Sequence, residues 1–345
     1  MTLALYLSRV LGVRILGAGA VFLVLAVGLD LMQSGDVLVS RGGAGAMARY
    51  ALLRTPQLAA TVFPVGVLVG AVSAFLTLGN RSELTVMRAS GLSLRGMLLR
   101  LAPLALALGL GYNLLADRAT SWAGDAIAEA FPTLSENAPP EVGTPVRSRQ
   151  PQEVVIGRLA SPDGTALAPV SIYRLTPEGL IRDRVEAERA VYTAGAWHLS
   201  GVFTTGGQEP PRLWSTRLDP AAILRLARPR QGATAAEAAD VLAGRSVGAR
   251  SEAYYRTRIE RARAAIAVPA VLIVVSAFAG FKISRSAAGL RLAALGTAAG
   301  MGYIAIDGLF ASFGEVAILN PVVAAYAPTA FVGLLGFWAL LMLEE

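Results

Sequence analysis

"LGNRSELTVMRASGLSLRGML", Leu78 to Leu98, sits between two apolar runs that are each long enough to cross a bilayer. Its charges, Arg81, Glu83, Arg88 and Arg95, are out of place in lipid. Asn80 and Glu83 stand three apart, a variant of the capping box that opens a helix. Gly91 is placed to close that helix in a left-handed turn, so Arg81 to Ser90 makes about three turns. Ser93 is positioned to cap the next helix. At roughly 100° per residue, Arg81 and Arg88 fall on one stripe with Leu84 beside them. Glu83 and Ser90 fall on a nearly opposite stripe next to Met87. Neither side is a clean lipid face. One reading is a basic loop that only fixes topology. The other is a short helix presenting Glu83, Met87 and Arg88 to a partner. A loop needed only for its charge requires no defined start and stop, which favours the helix.

Outward from this segment the chain is strongly apolar. Of its 345 residues 54% are hydrophobic and 16% charged, with a mean hydropathy of +0.54, a membrane-protein profile. The net charge of +7 is nearly all arginine, since Lys282 is the single lysine. In a membrane chain that balance reflects inward-facing loops and not nucleic-acid binding. The lack of cysteine excludes disulfides, thiolate metal sites and a cysteine nucleophile. The single histidine, His198, lies in a strand-like segment and reads as structural. The first apolar run is too long for the core of a cleavable signal. A P-loop needs a Gly-Lys pair, and the only lysine follows Phe281, so ATP hydrolysis must come from a partner. No HExxH or carboxylate–histidine cluster points to a metal, and no histidine within a span offers a base for an intramembrane hydrolase. No catalytic residue, metal or cofactor is expected.

Six runs can span a bilayer: about Val10 to Gln33, Leu58 to Leu78, Gly96 to Ala116, Ala264 to Phe281, Leu292 to Gly314, and one within Val316 to Leu343. With the N-terminus inside, the inward segments hold Arg9, Arg14, Arg81, Arg88, Arg95, Arg100, Lys282, Arg285 and Arg291. The short outward loops hold Arg41, Arg49 and Arg54. That asymmetry places both termini in the cytoplasm. Between the third and fourth runs lies a hydrophilic insert. "PVSIYRL" (169–175), "RVEAERAVY" (184–192) and "AWHLSGVF" (196–203) read as strands between the turn signals "SPDG", "TPEG" and "AG". Trp197, Leu199 and Phe203 share one face by period-2 alternation. The expected insert is a small antiparallel sandwich or jelly roll, flanked by helical "SWAGDAIAEAF" (121–131) and "TAAEAADVLAG" (234–244).

Some polar residues lie in or beside the spans. Asp307 interrupts the fifth; a carboxylate near the bilayer core costs about 2.5–3.5 kcal/mol and faces a cavity or a partner unless interfacial water reaches it. Tyr303 and Asn113 are suited to hydrogen bonds with neighbouring helices, and Gly296 and Gly300 form a GxxxG pair that permits close approach. Pro64 and Pro269 each remove a backbone donor from a span.

These residues resemble the LptF/LptG family of lipopolysaccharide export permeases. "LGNRSELTVMRASGLS" resembles the segment after the family's second span. "VSIYRLTPEGLIRDRVEAERAVYTAGAWHLSGV" resembles the periplasmic β domain, "YYRTRIERARAAIAVP" the approach to the fourth span, and "GYIAIDGLFASFGEVAILNPVVAAYAP" the last two spans. The "SIY…A.RA.Y…W.L" pattern and the "DGLFASFG…NP" ending lean toward the LptG member, while "SELTVMRASGLS" fits either.

The resemblance implies an α-helical membrane protein of six transmembrane helices with a periplasmic antiparallel β jelly-roll domain between helices 3 and 4. The corresponding division is 1–116 with a coupling helix at 80–92, 117–263, and 264–345. It implies an inner-membrane subunit of a Gram-negative ABC-type exporter. The partners would be an LptB-type ATPase dimer, a second six-helix permease, LptC- and LptA-type bridge proteins, and lipopolysaccharide. Docking candidates are Arg81, Glu83, Leu84, Met87, Arg88 and Gly91; β-domain groove candidates are Ile172, Trp197, Leu199 and Phe203. Cavity or gate candidates are Asp307, Tyr303 and Arg41. At the outer end of the first span, where the resemblance directs attention to phosphate-binding lysines, this chain has Asp30 and Asp36. Arg256, Arg258, Arg261 and Arg263 are the alternative, since a guanidinium clamps phosphate with two parallel hydrogen bonds; interfacial snorkelling is their simpler role. Two rival functions are a membrane-anchored scaffold or receptor and a channel subunit. Nearly all-apolar spans argue against the channel.

Overall fold

The computed structural model describes residues 3–344 apart from 41, 132–133, 135–139, 151, 177–179, 206–210, 228–231 and 278–286. The chain separates into two compact units, 1–124 with 257–345, and 125–256.

Two 38-residue helices, α1 (Leu3–Ser40) and α2 (Gly43–Asn80), open the first unit. Each is about 57 Å long, well beyond the expected runs from Val10 and from Leu58. α2 continues through Pro56 and Pro64. The two helices pack along their length because small residues let the backbones meet. A Cβ on Gly70 would stand 2.4 Å from the Ile15 Cα, and one on Gly66 2.9 Å from the Gly19 Cα. Polar bridges tie them at two heights. Arg14 donates to the Ser73 hydroxyl at 2.9 Å, and Arg54 donates to Asp30 at 3.3 Å. A short helix α3 (Glu83–Ala89) follows, then α4 (Leu94–Leu114), a π-helical turn Leu115–Ala119, and α5 (Thr120–Ala130).

In the second unit six strands form one antiparallel sheet in sequence order: β1 (Pro145–Arg149), β2 (Glu153–Leu159), β3 (Ala166–Leu175), β4 (Ile181–Thr193), β5 (Ala196–Thr205) and β6 (Leu213–Trp214). Tight connections favour pairing between consecutive strands. The described strands form this one antiparallel sheet. Helix α6 (Pro220–Ala227) covers its inner face, placing Ala222, Ile223 and Ala227 in the same buried cluster as Val155, Ile172, Val185 and Trp197. Helix α7 (Ala235–Leu242) starts on a capping box in which Thr234 and Glu237 bond each other's backbone amides.

The expected alternation along β5 fails at one point. Trp197 and Leu199 face inward, but Phe203 is 67% exposed. Gly201 takes a left-handed φ of +62° beside Glu188, and both strands change face there: Val185, Ala187 and Ala190 are buried on β4, and Val202 turns inward on β5. Period-2 reasoning assumes unbroken pleating, which a positive φ interrupts.

The chain continues into α8 (Glu252–Ala264), a 3₁₀ turn Ala265–Ala267, α9 (Val268–Ala277), α10 (Ala287–Glu315) and α11 (Pro321–Glu344). Pro269 falls in the first turn of α9, where its missing amide breaks no helical hydrogen bond. Among the described residues five helices are long and apolar enough to cross a membrane: Leu3–Ser40, Gly43–Asn80, Leu94–Ala130, Ala294–Glu315 and Pro321–Trp338. Of the expected fourth span, residues 278–281 lie outside the described set. A Cβ on Gly109 would stand 2.0 Å from the Ile266 carbonyl oxygen, one on Gly300 2.3 Å from the Leu68 side chain, and one on Gly296 3.4 Å from the Val275 carbonyl oxygen. The GxxxG pair therefore seats α10 against α9 and α2.

Candidate functional site

The connection between α2 and α4 is an ordered helical turn, but it does not start as its sequence suggests. Asn80 is the last residue of α2. The residue before α3 is Ser82, at φ +59° and without a side-chain cap. The Glu83 carboxylate does not reach back to the Asn80 backbone as a capping box would. It accepts a 2.5 Å hydrogen bond from the Tyr6 hydroxyl in α1 and lies 4.0 Å from the Arg81 guanidinium. Asn80 still belongs to α2, so it is not placed to cap α3. The other end follows the expectation. Gly91 has φ +85°; its amide bonds the Arg88 carbonyl, and the Leu92 amide bonds the Met87 carbonyl. That is a Schellman closure. Ser93 accepts from the Gly96 amide at 3.1 Å and caps α4.

The sides of α3 differ. Leu84 is buried in the same apolar cluster as Leu7, Leu78, Leu94 and Met97, with Met87 half-buried against it. Glu83 is half-buried, while Arg81, Thr85, Val86, Arg88, Ala89 and Gly91 are exposed. Leu84 thus anchors the helix, and the outward side is formed by the exposed residues. Thr85, Val86 and Ala89 drew no attention in the sequence, since nothing local distinguishes them from a loop surface.

A second polar cluster joins α8 and α10. Arg261 donates to Asp307 at 2.5 Å, both side chains being partly buried. One turn earlier on α10, Tyr303 is 2% exposed and shares a 3.0 Å hydrogen bond with Thr329 of α11. Asn113 of α4 donates to the Ala262 carbonyl, and Tyr112 stacks on Phe63 with ring centroids 4.9 Å apart. Glu260 accepts from Arg263 at 2.8 Å and from Tyr326 at 3.4 Å. The four α8 arginines do not make one open clamp. Arg256 pairs with Glu252 at 2.5 Å, Arg261 and Arg263 have the partners just named, and Arg258 is half-buried. A phosphate reaching Arg261 meets a guanidinium already holding a carboxylate. Arg41, Lys282 and Arg285 lie outside the described residues.

In the second unit Ile172, Trp197 and Leu199 are core residues under α6. Trp197 donates to the Leu218 carbonyl at 2.6 Å and leans on Tyr192 and Trp214. Phe203 lies on the opposite face. The four groove candidates are therefore not brought together.

The family model for the lipopolysaccharide export system permease LptF/LptG matches residues 5–342. The chain belongs to the LptF/LptG family. No individual curated protein matches it. Its apolar helices and its family make it a multi-pass membrane protein, and LptF/LptG proteins are permease subunits and not enzymes themselves. The match covers LptF and LptG together and does not separate them. In this LptF/LptG permease the residue that sequence reasoning missed most clearly is Tyr6. Its sole sequence signal was an aromatic hydroxyl at the start of an apolar run, a common interfacial arrangement.

Proposed function

We propose that this chain is one permease subunit, leaning to the LptG type, of an ABC-type exporter that lifts lipopolysaccharide from the inner membrane of a Gram-negative bacterium. In this reading it has six spans, the fourth running from Ala264 to Phe281, with both termini in the cytoplasm and residues 125–256 in the periplasm. A second permease of the same family closes the lipid cavity. An LptB-type ATPase dimer docks on α3 and supplies the energy. The observation that carries this reading is the family match combined with a sharply terminated helix between two spans, bearing Arg81, Val86, Arg88 and Ala89 outward and Leu84 inward.

ATP-driven closure of the ATPase dimer moves α3, the cavity narrows, and the lipid is pressed outward. Acyl chains pass from the lipid onto walls of similar polarity, such as the outward side of α1, where Val13, Leu16, Val24 and Leu29 are exposed, so the apolar transfer itself costs little. The candidates for a lipid phosphate are Arg41, Arg256, Arg258, Arg261 and Arg263, of which Arg261 already holds the Asp307 carboxylate. Handoff goes to LptC- and LptA-type bridge proteins. Acyl contact with Ile172, Trp197 and Leu199 requires α6 to lift from the sheet, whereas Phe203 is accessible without rearrangement.

Copurification tests the reading. Native chain should bring down a stoichiometric cytoplasmic ATPase, and Arg88→Glu should lose it while still inserting into membranes. Full retention of the ATPase by Arg88→Glu together with Val86→Asp would remove α3 as the docking element. A chain that brings down periplasmic proteins but never an ATPase would be the scaffold instead.

A further inference from the structure

We infer that Tyr6 is a positioning residue that ties the docking helix α3 to the first span, so that displacement of α3 is delivered to α1 through the Tyr6–Glu83 hydrogen bond. This rests on the proposed docking role of α3 and adds the route by which its movement reaches the lipid side.

Leu3, Tyr6, Leu7 and Val10 recur at the spacing of one helix face. Leu7 is 1% exposed, and the other three pack on the cluster that also holds Leu84, Leu94 and Met97. The apolar contacts hold the Tyr6 ring near the start of α3. From there its hydroxyl donates to the Glu83 Oε2 at 2.5 Å, across 77 positions of sequence. The acceptor is a carboxylate, so the bond is charge-assisted. Glu83 is also the first residue of α3, so the bond grips the helix at its start, while the Schellman turn at Gly91 fixes its end.

Glu83 therefore faces inward with its oxygens directed at Tyr6 and Arg81, while Arg88 and Val86 face outward. On α3 Arg88 stands about 140° round the helix from Glu83 and Val86 about 60°, so a partner pressing on the exposed residues moves the same short turn that Tyr6 holds. α1 in turn exposes Val13, Leu16, Val21, Val24, Leu25 and Leu29 along its free side. A pull at Tyr6 shifts that apolar surface as a unit, since α1 is an unbroken helix from Leu3 to Ser40.

The lack of native cysteine permits a clean probe. Spin labels at Arg9→Cys and Val86→Cys, both exposed positions, report the α1–α3 distance in the full chain in lipid nanodiscs. The native pair should give one narrow distribution, and Tyr6→Phe should broaden it. In the complex with its copurified ATPase, Tyr6→Phe should keep the ATPase bound and its basal turnover, yet lower lipopolysaccharide-stimulated turnover roughly tenfold, as expected for a lost charge-assisted hydrogen bond. Glu83→Gln still accepts from Tyr6 and should fall between native and Tyr6→Phe. An unchanged narrow distribution in Tyr6→Phe, or full stimulation with the ATPase bound, overturns the inference. Should native chain bind no ATPase, the proposed function falls, and the label distances alone still decide the tether.

Discussion

The Arg261 guanidinium and the Asp307 carboxylate meet at 2.5 Å with side chains 31% and 19% exposed, joining α8 to α10. A charge within a span is expensive alone and tolerable when paired. Removing either partner leaves the other uncompensated. Asp307→Ala or Arg261→Ala should each cost about 2–3 kcal/mol, somewhat less than a fully buried pair, and the double variant should recover part of that loss. Thermal denaturation in detergent of the two singles and the double measures it; strict additivity would mean the pair is not coupled.

Helix contact in the first unit depends on glycines with no room for a side chain. Gly70→Ala places a methyl 2.4 Å from the Ile15 Cα, whereas Gly302 has nothing within 4 Å. Gly70→Ala should lose about 1–3 kcal/mol by overpacking, and Gly302→Ala should be neutral or gain up to about 1 kcal/mol. Comparing their melting temperatures with the native chain separates packing from intrinsic helix preference.

Closure of α3 relies on Gly91 at φ +85°. Any L side chain there costs about 1–2 kcal/mol. Gly91→Val should fray the last turn and weaken ATPase capture, with Gly91→Asn milder because asparagine tolerates this region. Amide hydrogen exchange at residues 86–92 should rise in the same order.

Trp197 is 1% exposed, and its indole donates to the Leu218 carbonyl beneath α6. Trp197→Ala should cost the second unit about 3–5 kcal/mol. Phe203→Ala, on the exposed face, should leave its stability near native. Limited proteolysis of the full chain reads the difference: rapid cutting within 125–256 is expected for Trp197→Ala alone.

Asp163 is held at a pKa of about 2, below its ordinary 3.8, by hydrogen bonds from Ser161 and then from the Thr165 hydroxyl and amide. A depressed carboxylate pKa stabilises the fold fully above its unfolded value and loses that contribution as pH falls through the folded one. The β2–β3 turn should therefore hold down to about pH 4 and loosen between pH 4 and 2. Asp163→Asn should flatten that step in an acid titration followed by tryptophan fluorescence. Asp163 is fully exposed, so the step is small.

What the sequence made legible was local. The three named strands, the helical flanks at α5 and α7, the Gly91 stop and the Ser93 cap each depend on residues within a few positions of one another. β1 escaped notice because it directs only Val146 and Ser148 inward and carries arginine outward. The Asn80 cap failed because α2 runs on through Asn80, and the Glu83 carboxylate instead meets Tyr6, 77 positions away. The shared face of Trp197 and Phe203 failed because Gly201 adopts a positive φ that pattern alone does not reveal. Arg261 and Asp307 were both singled out for separate reasons; that each answers the other depends on the packing of α8 on α10, which no spacing encodes.

The two polar bridges between α1 and α2 have a consequence for the surrounding lipid. Arg14 and Asp30 are about 24 Å apart along α1, a little under the ~30 Å depth of a hydrocarbon layer. Neither charged rung enters oil readily, so the pair pins the vertical seat of a rod about twice as tall as the layer it crosses. Thickness changes must then be absorbed by the bilayer deforming around the hairpin, at a fraction of a kcal/mol for each ångström of mismatch. Reconstitution into short- and long-chain phospholipids should alter turnover through that strain while the helices keep their mutual register.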